Sequence, residues 1–440
     1  MPRVPCEADP KQSYALYLPT SYSSARKWPV LYLYDPRSRG AFAAERFREA
    51  AEKFGWILAS SNNTMSDGPL APNVVAVNAV WADVNRRLPI DPRRVYAAGF
   101  SGGARTACLL AKKMDGDVAG VIGCGGGFMD NSPPEKGMRF AFFGAVGNVD
   151  FNYGEMRRLD RTLAKVGAIH RLVVFDGPHS WCPAAVCAEA IGWMELRAMK
   201  SGTRTKDPAL ADRLLREKVE KAAALERAGK AADAFLRYSE AVEDFEGLAD
   251  TKDADAARAR LGALAAVRKE LAAEERREEK EARSFERLWK DLKQALGSDP
   301  PPPLQAVVNQ LRVGELRKEA GPERPEPDRL SARRVLEQLS VQTGFYLARD
   351  FASRHDFLRA ELVTGIAEAL KPDRAGTVWY DLACFRAVAG DRKGALGSLR
   401  TAVKKGFRQV ELIETDPDLA SLREEKDYRA IVEELKTPRS

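Results

Sequence analysis

Short apolar runs alternate with amphipathic stretches over the first 200 residues of this chain. Residues 14–18, 30–34, 56–59, 95–98, 118–122, 140–143 and 172–175 are rich in β-branched and aromatic side chains and predict strands. Several are almost continuously apolar, as a strand covered by helices on both faces requires. Between them, residues 45–54, 74–87 and 105–113 carry apolar side chains at helical spacing. Strands alternating with helices predict an α/β fold with a mostly parallel, doubly covered sheet.

Beyond residue 200 the strand pattern disappears. Residues 207–297 are rich in Ala, Leu, Glu, Lys and Arg, all strong helix formers. Phe285, Leu288, Trp289, Leu292 and Leu296 form one apolar stripe, and Glu279 with Arg283 and Glu286 with Lys290 are i,i+4 pairs. The heavily charged block 271–283 predicts a solvated helix face. Ser298-Asp299-Pro300-Pro301-Pro302-Pro303 reads as a stiff linker, and residues 321–327, with three prolines, as a second. Helices resume near Ser331, a candidate N-cap.

An internal repeat lies in this helical half. Gly229, Ala234, Tyr238 and Ala241 have the same spacing as Gly390, Ala395, Leu399 and Ala402, and Ala222 matches Ala383 before each glycine. Glycine lets the chain turn between two helices, small alanines allow close crossing, and the larger residue fills the groove. The unit resembles the tetratricopeptide repeat, more fully in the copy that opens with Trp379-Tyr380-Asp381-Leu382-Ala383-Cys384. Lys218 stands where an aromatic residue is common in the first copy. Two readable copies fall short of the three or so that stacked repeats need, so other helices must cap or substitute.

Composition narrows the possibilities. A chain of 440 residues that is 45% hydrophobic and 30% charged is long enough for more than one folding unit and rich enough to bury a core in each. Its 70 basic and 63 acidic residues are interspersed, which speaks against the segregated basic stripe of a nucleic-acid binder. No run of eighteen uncharged apolar residues predicts a membrane span. The start, Met1-Pro2-Arg3-Val4-Pro5-Cys6, lacks the apolar stretch of a secretory signal. The expectation is a cytoplasmic location for the chain as it stands, or a periplasmic or extracellular one for a processed form. Six cysteines with no C-x-x-C pair and three histidines supply neither a disulfide framework nor a zinc site.

Gly99-Phe100-Ser101-Gly102-Gly103 fits G-x-S-x-G, directly after a predicted strand and before a predicted helix. A strand–turn–helix elbow holds its serine in strained dihedrals, and flanking glycines remove side chains that would clash. The serine needs a base to take its proton. His179 follows the exit of the last predicted strand, at the sheet edge where ligand-facing groups collect; His170 precedes that strand and His355 lies in the helical half. The third member is a carboxylate between Ser101 and His179 in chain order. Asp150, just after the strand at 140–146, is the choice, with Asp176 the runner-up and Asp130 behind it. The oxyanion donors expected are the amide of Gly102 and that of Arg37 or Ser38, in the loop 35–40.

With these residues in view, positions 12–197 resemble an α/β-hydrolase of the esterase type, nearest the polyhydroxybutyrate-depolymerase and feruloyl-esterase-like branch. Tyr14-Ala15-Leu16-Tyr17-Leu18-Pro19, the elbow, and Gly177-Pro178-His179-Ser180-Trp181 carry the likeness. Two departures stand out: Asp35-Pro36 replaces the frequent His-Gly of the oxyanion loop, and Cys182 intervenes before Pro183. No long insertion reads as a lid, so a short open cleft is implied. Gly123-Cys124-Gly125-Gly126-Gly127 is no dinucleotide fingerprint and reads as a strand-end turn. Cys182 and Cys187 read as buried thiols or a local disulfide. Arg37, Arg39, Arg46 and Arg48 read as solvated, with a cationic mouth the sharper alternative.

The expectation is therefore an α/β-hydrolase domain over residues 1–200, a helical region with a tetratricopeptide-like unit and a long charged helix over 207–297, and a helical region over 304–440 with a repeat at 377–405. The implied activity is serine-esterase hydrolysis by Ser101, His179 and Asp150, without metal or cofactor. A small ester or acyl substrate and a protein or peptide partner on the helices are implied, but no nucleic acid. The rival is a degenerate hydrolase fold acting as a scaffold.

Overall fold

The computed structural model describes residues 1–66, 68–114 and 116–437. They form two compact units, Met1–Arg276 and Arg277–Ser440.

The first unit is built on eight strands: β1 (Arg3–Pro5), β2 (Ser13–Tyr17), β3 (Trp28–Tyr34), β4 (Ile57–Ser61), β5 (Ile90–Phe100), β6 (Gly120–Cys124), β7 (Ala141–Gly147) and β8 (His170–Phe175). They lie in the order β1-β2-β4-β3-β5-β6-β7-β8. The pairs β1–β2 and β2–β4 are antiparallel and all others are parallel. All seven strands read from the sequence are present; β1, three residues with a proline on the sheet edge, offers too little pattern to detect.

Helices fill the crossovers: α1 (Gly40–Phe54) after β3, α2 (Leu70–Arg87) after β4, α3 (Gly102–Lys113) after β5, α4 (Tyr153–Lys165) after β7, and α5 (Ala184–Lys200) after β8. Alternate residues of β3 enter different cores. Val30, Tyr32 and Tyr34 pack with α2, α3 and α4, whereas Leu31 and Leu33 pack with α1 and α5. This explains the unbroken apolar run at 30–34, since both faces are buried. The chain runs outward from β3 to β4 and returns to β5, so the strand order reverses between β3 and β5, where doubly wound sheets open their ligand crevice. This is the α/β-hydrolase fold.

Three further helices belong to the same unit: α6 (Pro208–Arg227), α7 (Ala231–Phe245) and α8 (Lys252–Ala263). Asp207 caps α6 by accepting from Leu210 N at 3.0 Å. Leu196 and Met199 of α5 share a core with Leu210, Leu215, Tyr238 and Phe245. Trp193 Nε1 and Arg171 donate to Asp244 at 2.8 and 2.7 Å, and Lys218 donates to it at 2.9 Å. Lys218, placed where the repeat favours an aromatic residue, thus serves a buried ionic contact. Hydrophobic and ionic contacts together place these helices in the compact unit that holds the sheet, although their composition changes near residue 200.

The division at Arg276 falls within α9 (Ala265–Leu296). In the second unit Leu288, Leu292 and Leu296 are buried as the apolar stripe requires. The charged block is not wholly solvated: Glu281 accepts a forked hydrogen bond from Arg334, with oxygens 2.9 and 2.6 Å from the guanidinium. Ser331 does not start a helix; it lies inside Glu326–Val341, which begins after Pro325. A proline at the second helical position opens that helix five residues earlier than the serine suggested.

Both repeat copies place their marked residues inside. Ala222, Ala234, Tyr238 and Ala241 are buried, as are Ala383, Ala395, Leu399 and Ala402. Gly229 and Gly390 turn the chain with φ of 75° and 85°. No helix among the described residues is long and apolar enough to cross a membrane.

Candidate active site

Strand β5 ends at Phe100 and α3 begins at Gly102, leaving Ser101 alone at the turn with φ 52° and ψ −121°. An L-residue avoids this conformation unless its surroundings impose it. They do so here through close packing. A methyl group on Gly99 would lie 2.2 Å from the Gly103 carbonyl, and one on Gly103 would lie 2.0 Å from the Tyr34 carbonyl. Ser101 N donates to Cys124 O at 2.8 Å, which ties the elbow to the end of β6.

The loop after β8 brings His179 to the loop after β7. His179 Nδ1 lies 2.8 and 2.9 Å from the two carboxylate oxygens of Asp150. Asp150 is fully buried and also accepts from Asn152 N at 2.7 Å. Phe100 and Phe151 flank the imidazole, with ring centroids 4.5 and 4.1 Å away. The glycine run after β6 fills the space between this pair and the elbow. A methyl on Gly125 would stand 3.0 Å from Asp150 and 3.1 Å from His179, and one on Gly126 would stand 2.8 Å from Ser101 O. Among the described residues no hydrogen bond joins Ser101 Oγ to the imidazole. Such contacts commonly tighten only when substrate is bound.

The other candidates fall elsewhere. Asp176 accepts from Asn148 Nδ2 at 3.0 Å, and Asp130 is exposed. His170 lies at the start of β8, between Ala168 O and Asp160, and the hydrogen bond to Asp160 raises its pKa. His355 is exposed, with its ring against Phe357.

The loop after β3 differs most from expectation. Arg37 N donates to Asp35 Oδ1 at 2.8 Å, and Ser38 N donates to Thr64 O at 2.9 Å. Both proposed oxyanion amides therefore already hold internal acceptors. The buried Asp35 carboxylate also takes Arg39 Nε at 3.0 Å and Trp181 Nε1 at 2.8 Å. Trp181 sits two residues after His179, so this contact links the loops carrying His179 and the expected oxyanion donors. Gly102 heads α3, and among the described residues its amide has no acceptor; a methyl on Gly102 would meet Ser66 Cβ at 2.3 Å.

Residue-type reasoning passed over Phe100, Phe151, Gly125 and the Asp35–Trp181 contact. The signal for Phe151 was its place next to Asp150. That for Asp35 was its occupation of the usual His position.

All six cysteines are free and buried. Sγ of Cys182 lies 3.0 Å from that of Cys124 and 3.4 Å from that of Cys187. Burial pushes the Cys124 thiol well above its ordinary range, a protonated state unsuited to nucleophilic attack. Cys384, Asp416 and Asp418 in the second unit are close enough to share an ion, but Asp416 already accepts from Tyr380 Oη at 2.6 Å.

No family model matches the chain, and no curated protein does. Among solved structures it is similar to a ferulic acid esterase, with 16% identity and a TM-score of 0.36 over 42% of this chain and 91% of that one. Esterase 2 of Thermogutta terrifontis, phosphorylated by paraoxon, is 13% identical with a TM-score of 0.36, over 44% and 91% of the two chains. The S-formylglutathione hydrolase of Staphylococcus aureus is 13% identical with a TM-score of 0.33, over 42% and 90%.

Proposed function

We propose that the first unit is a serine hydrolase that cleaves carboxylic esters through an acyl-enzyme. The observation that supports this most is the Asp150–His179 pair, buried at its acidic end and packed through Gly125 and Gly126 against the elbow of Ser101. Ser101 Oγ attacks the ester carbonyl while His179 Nε2 takes its proton and returns it to the leaving alcohol. Asp150 holds the Nδ1–H tautomer and stabilises the imidazolium. Gly102 N–H, at the positive end of α3, donates to the oxyanion. Arg37 N–H or Ser38 N–H serves as second donor by giving up its internal acceptor when the charge develops. Water then attacks the acyl-enzyme with His179 again as base. The helical parts at 207–297 and 304–440, with their tetratricopeptide-like units, provide a surface for a protein or peptide.

A short p-nitrophenyl ester tests this reading. Ser101→Ala loses turnover while its thermal midpoint stays that of the parent, and a fluorophosphonate probe labels the parent but not the variant. Equal turnover in the two proteins refutes it. A second reading, a hydrolase fold retained as a scaffold, draws on the engaged amides of Arg37 and Ser38. It predicts a folded parent protein that the probe leaves unlabelled.

A further inference from the structure

Helices α5, α6 and α7 border a cavity of about 530 Å³ in the first unit, and none of its lining residues belongs to the group around Ser101. Packing faults in protein interiors are seldom larger than a water molecule, whereas sites for small organic ligands span roughly 300–1,000 Å³. The cavity persists because small residues face it. Gly192 on α5 carries no side chain, and Ala224 and Ala228 add only methyl groups from the end of α6. A methyl on Gly192 would come no nearer than 3.4 Å to Phe54 and 3.6 Å to Leu214.

Its lining has two chemistries. Phe54, Phe143, Trp193, Leu196, Leu214 and Phe245 supply apolar surface. The most deeply buried charged groups, Lys218 and Asp244, neutralise each other at 2.9 Å. The rim carries more positive than negative charge. Lys221, 64% exposed, pairs with Glu189 at 3.8 Å, Lys53 pairs with Glu217 at 3.5 Å, and exposed Lys230 has no ion-pair partner among the described residues. Lysine ammonium groups held in water above apolar walls match a ligand with a hydrocarbon tail and an anionic head.

We propose that this cavity binds a long-chain carboxylate, with the tail against Trp193 and Phe245 and the head at Lys221 and Lys230. Titration calorimetry on the full chain with dodecanoate tests it. One equivalent binds, and dodecyltrimethylammonium, which has the same tail and the opposite charge, binds at least tenfold more weakly. Ala224→Trp, on α6, and Ala228→Trp, at its C-terminal cap, each fill the cavity from an exposed position and weaken dodecanoate at least tenfold; circular dichroism checks that each is folded. Lys221→Glu with Lys230→Glu weakens it to a similar degree. Absence of saturable binding overturns the proposal. So does binding that survives both tryptophan variants but is lost when Ser101 is blocked, which would place the ligand in the hydrolytic cleft. Cosedimentation with phosphatidylglycerol vesicles without uptake of monomeric dodecanoate also overturns it, by assigning the lysines to a lipid surface.

Discussion

Asp150 has no exposed surface and holds the His179 imidazole through one nitrogen, so its proposed role can be tested apart from that of Ser101. Asp150→Asn preserves shape but favours the wrong imidazole tautomer. The expected result is a fall in kcat of about 10⁴-fold with KM for a p-nitrophenyl ester little changed. Gly125 makes a different case. Its φ of 56° disfavours a side chain, and a methyl there would press on both Asp150 and His179. Gly125→Ala should cost about 1–2 kcal/mol of stability, read as a lower thermal midpoint, and should lower kcat at least tenfold by displacing the imidazole. Unaltered kcat in a folded Gly125→Ala protein would show that the glycine run does not position His179 for the proposed reaction.

At the level of elements, the docking of α6 and α7 depends on Asp244. Burial works against its charged form, but Lys218 and Arg171 outweigh burial and hold its carboxyl below the usual carboxylate range; Glu240 is held down in the same way by Lys218, Arg237 and Arg171. A depressed carboxylate contributes stability that is fully present above its unfolded pKa and lost as acid protonates it. This contact should therefore weaken as pH falls below about 4. Asp244→Asn leaves Lys218 and Arg171 short of a counter-charge, at an expected cost of about 3 kcal/mol, measured by denaturant unfolding at neutral pH. The central strands were legible because burial on both faces writes continuous apolar runs, and β8, with Val173 and Phe175 buried but Val174 exposed, was legible from its β-branched and aromatic residues. The elbow was legible because Gly99 and Gly103 have no tolerated substitute at that packing distance. What stayed hidden depended on pairing between distant positions: Arg334 with Glu281, Trp181 with Asp35, and the engagement of Arg37 N–H by a carboxylate two residues away. Ser331 misled because a capping residue inside a helix has the same composition as one at its start.

Across the molecule, the change in composition near residue 200 and the change in packing at Arg276 are different boundaries. A chain ending at residue 200 would expose Leu196 and Met199 and leave Arg171 without Glu240, Glu243 and Asp244. It should aggregate or melt well below the parent. A chain ending at residue 276 keeps those partners and should retain the proposed ester hydrolysis; comparing solubility, thermal midpoint and p-nitrophenyl turnover of the two decides the point. Serine and glycine at the elbow also stand under different obligations. The two glycines are required by a carbonyl barely 2 Å from where a methyl would go, whereas nothing in the packing demands the hydroxyl between them. A variant of this chain could lose the Ser101 oxygen and still fold, but it would have to keep both glycines. The glycine frame of the motif can thus outlive any reaction, and within the motif only the hydroxyl is free of a packing duty.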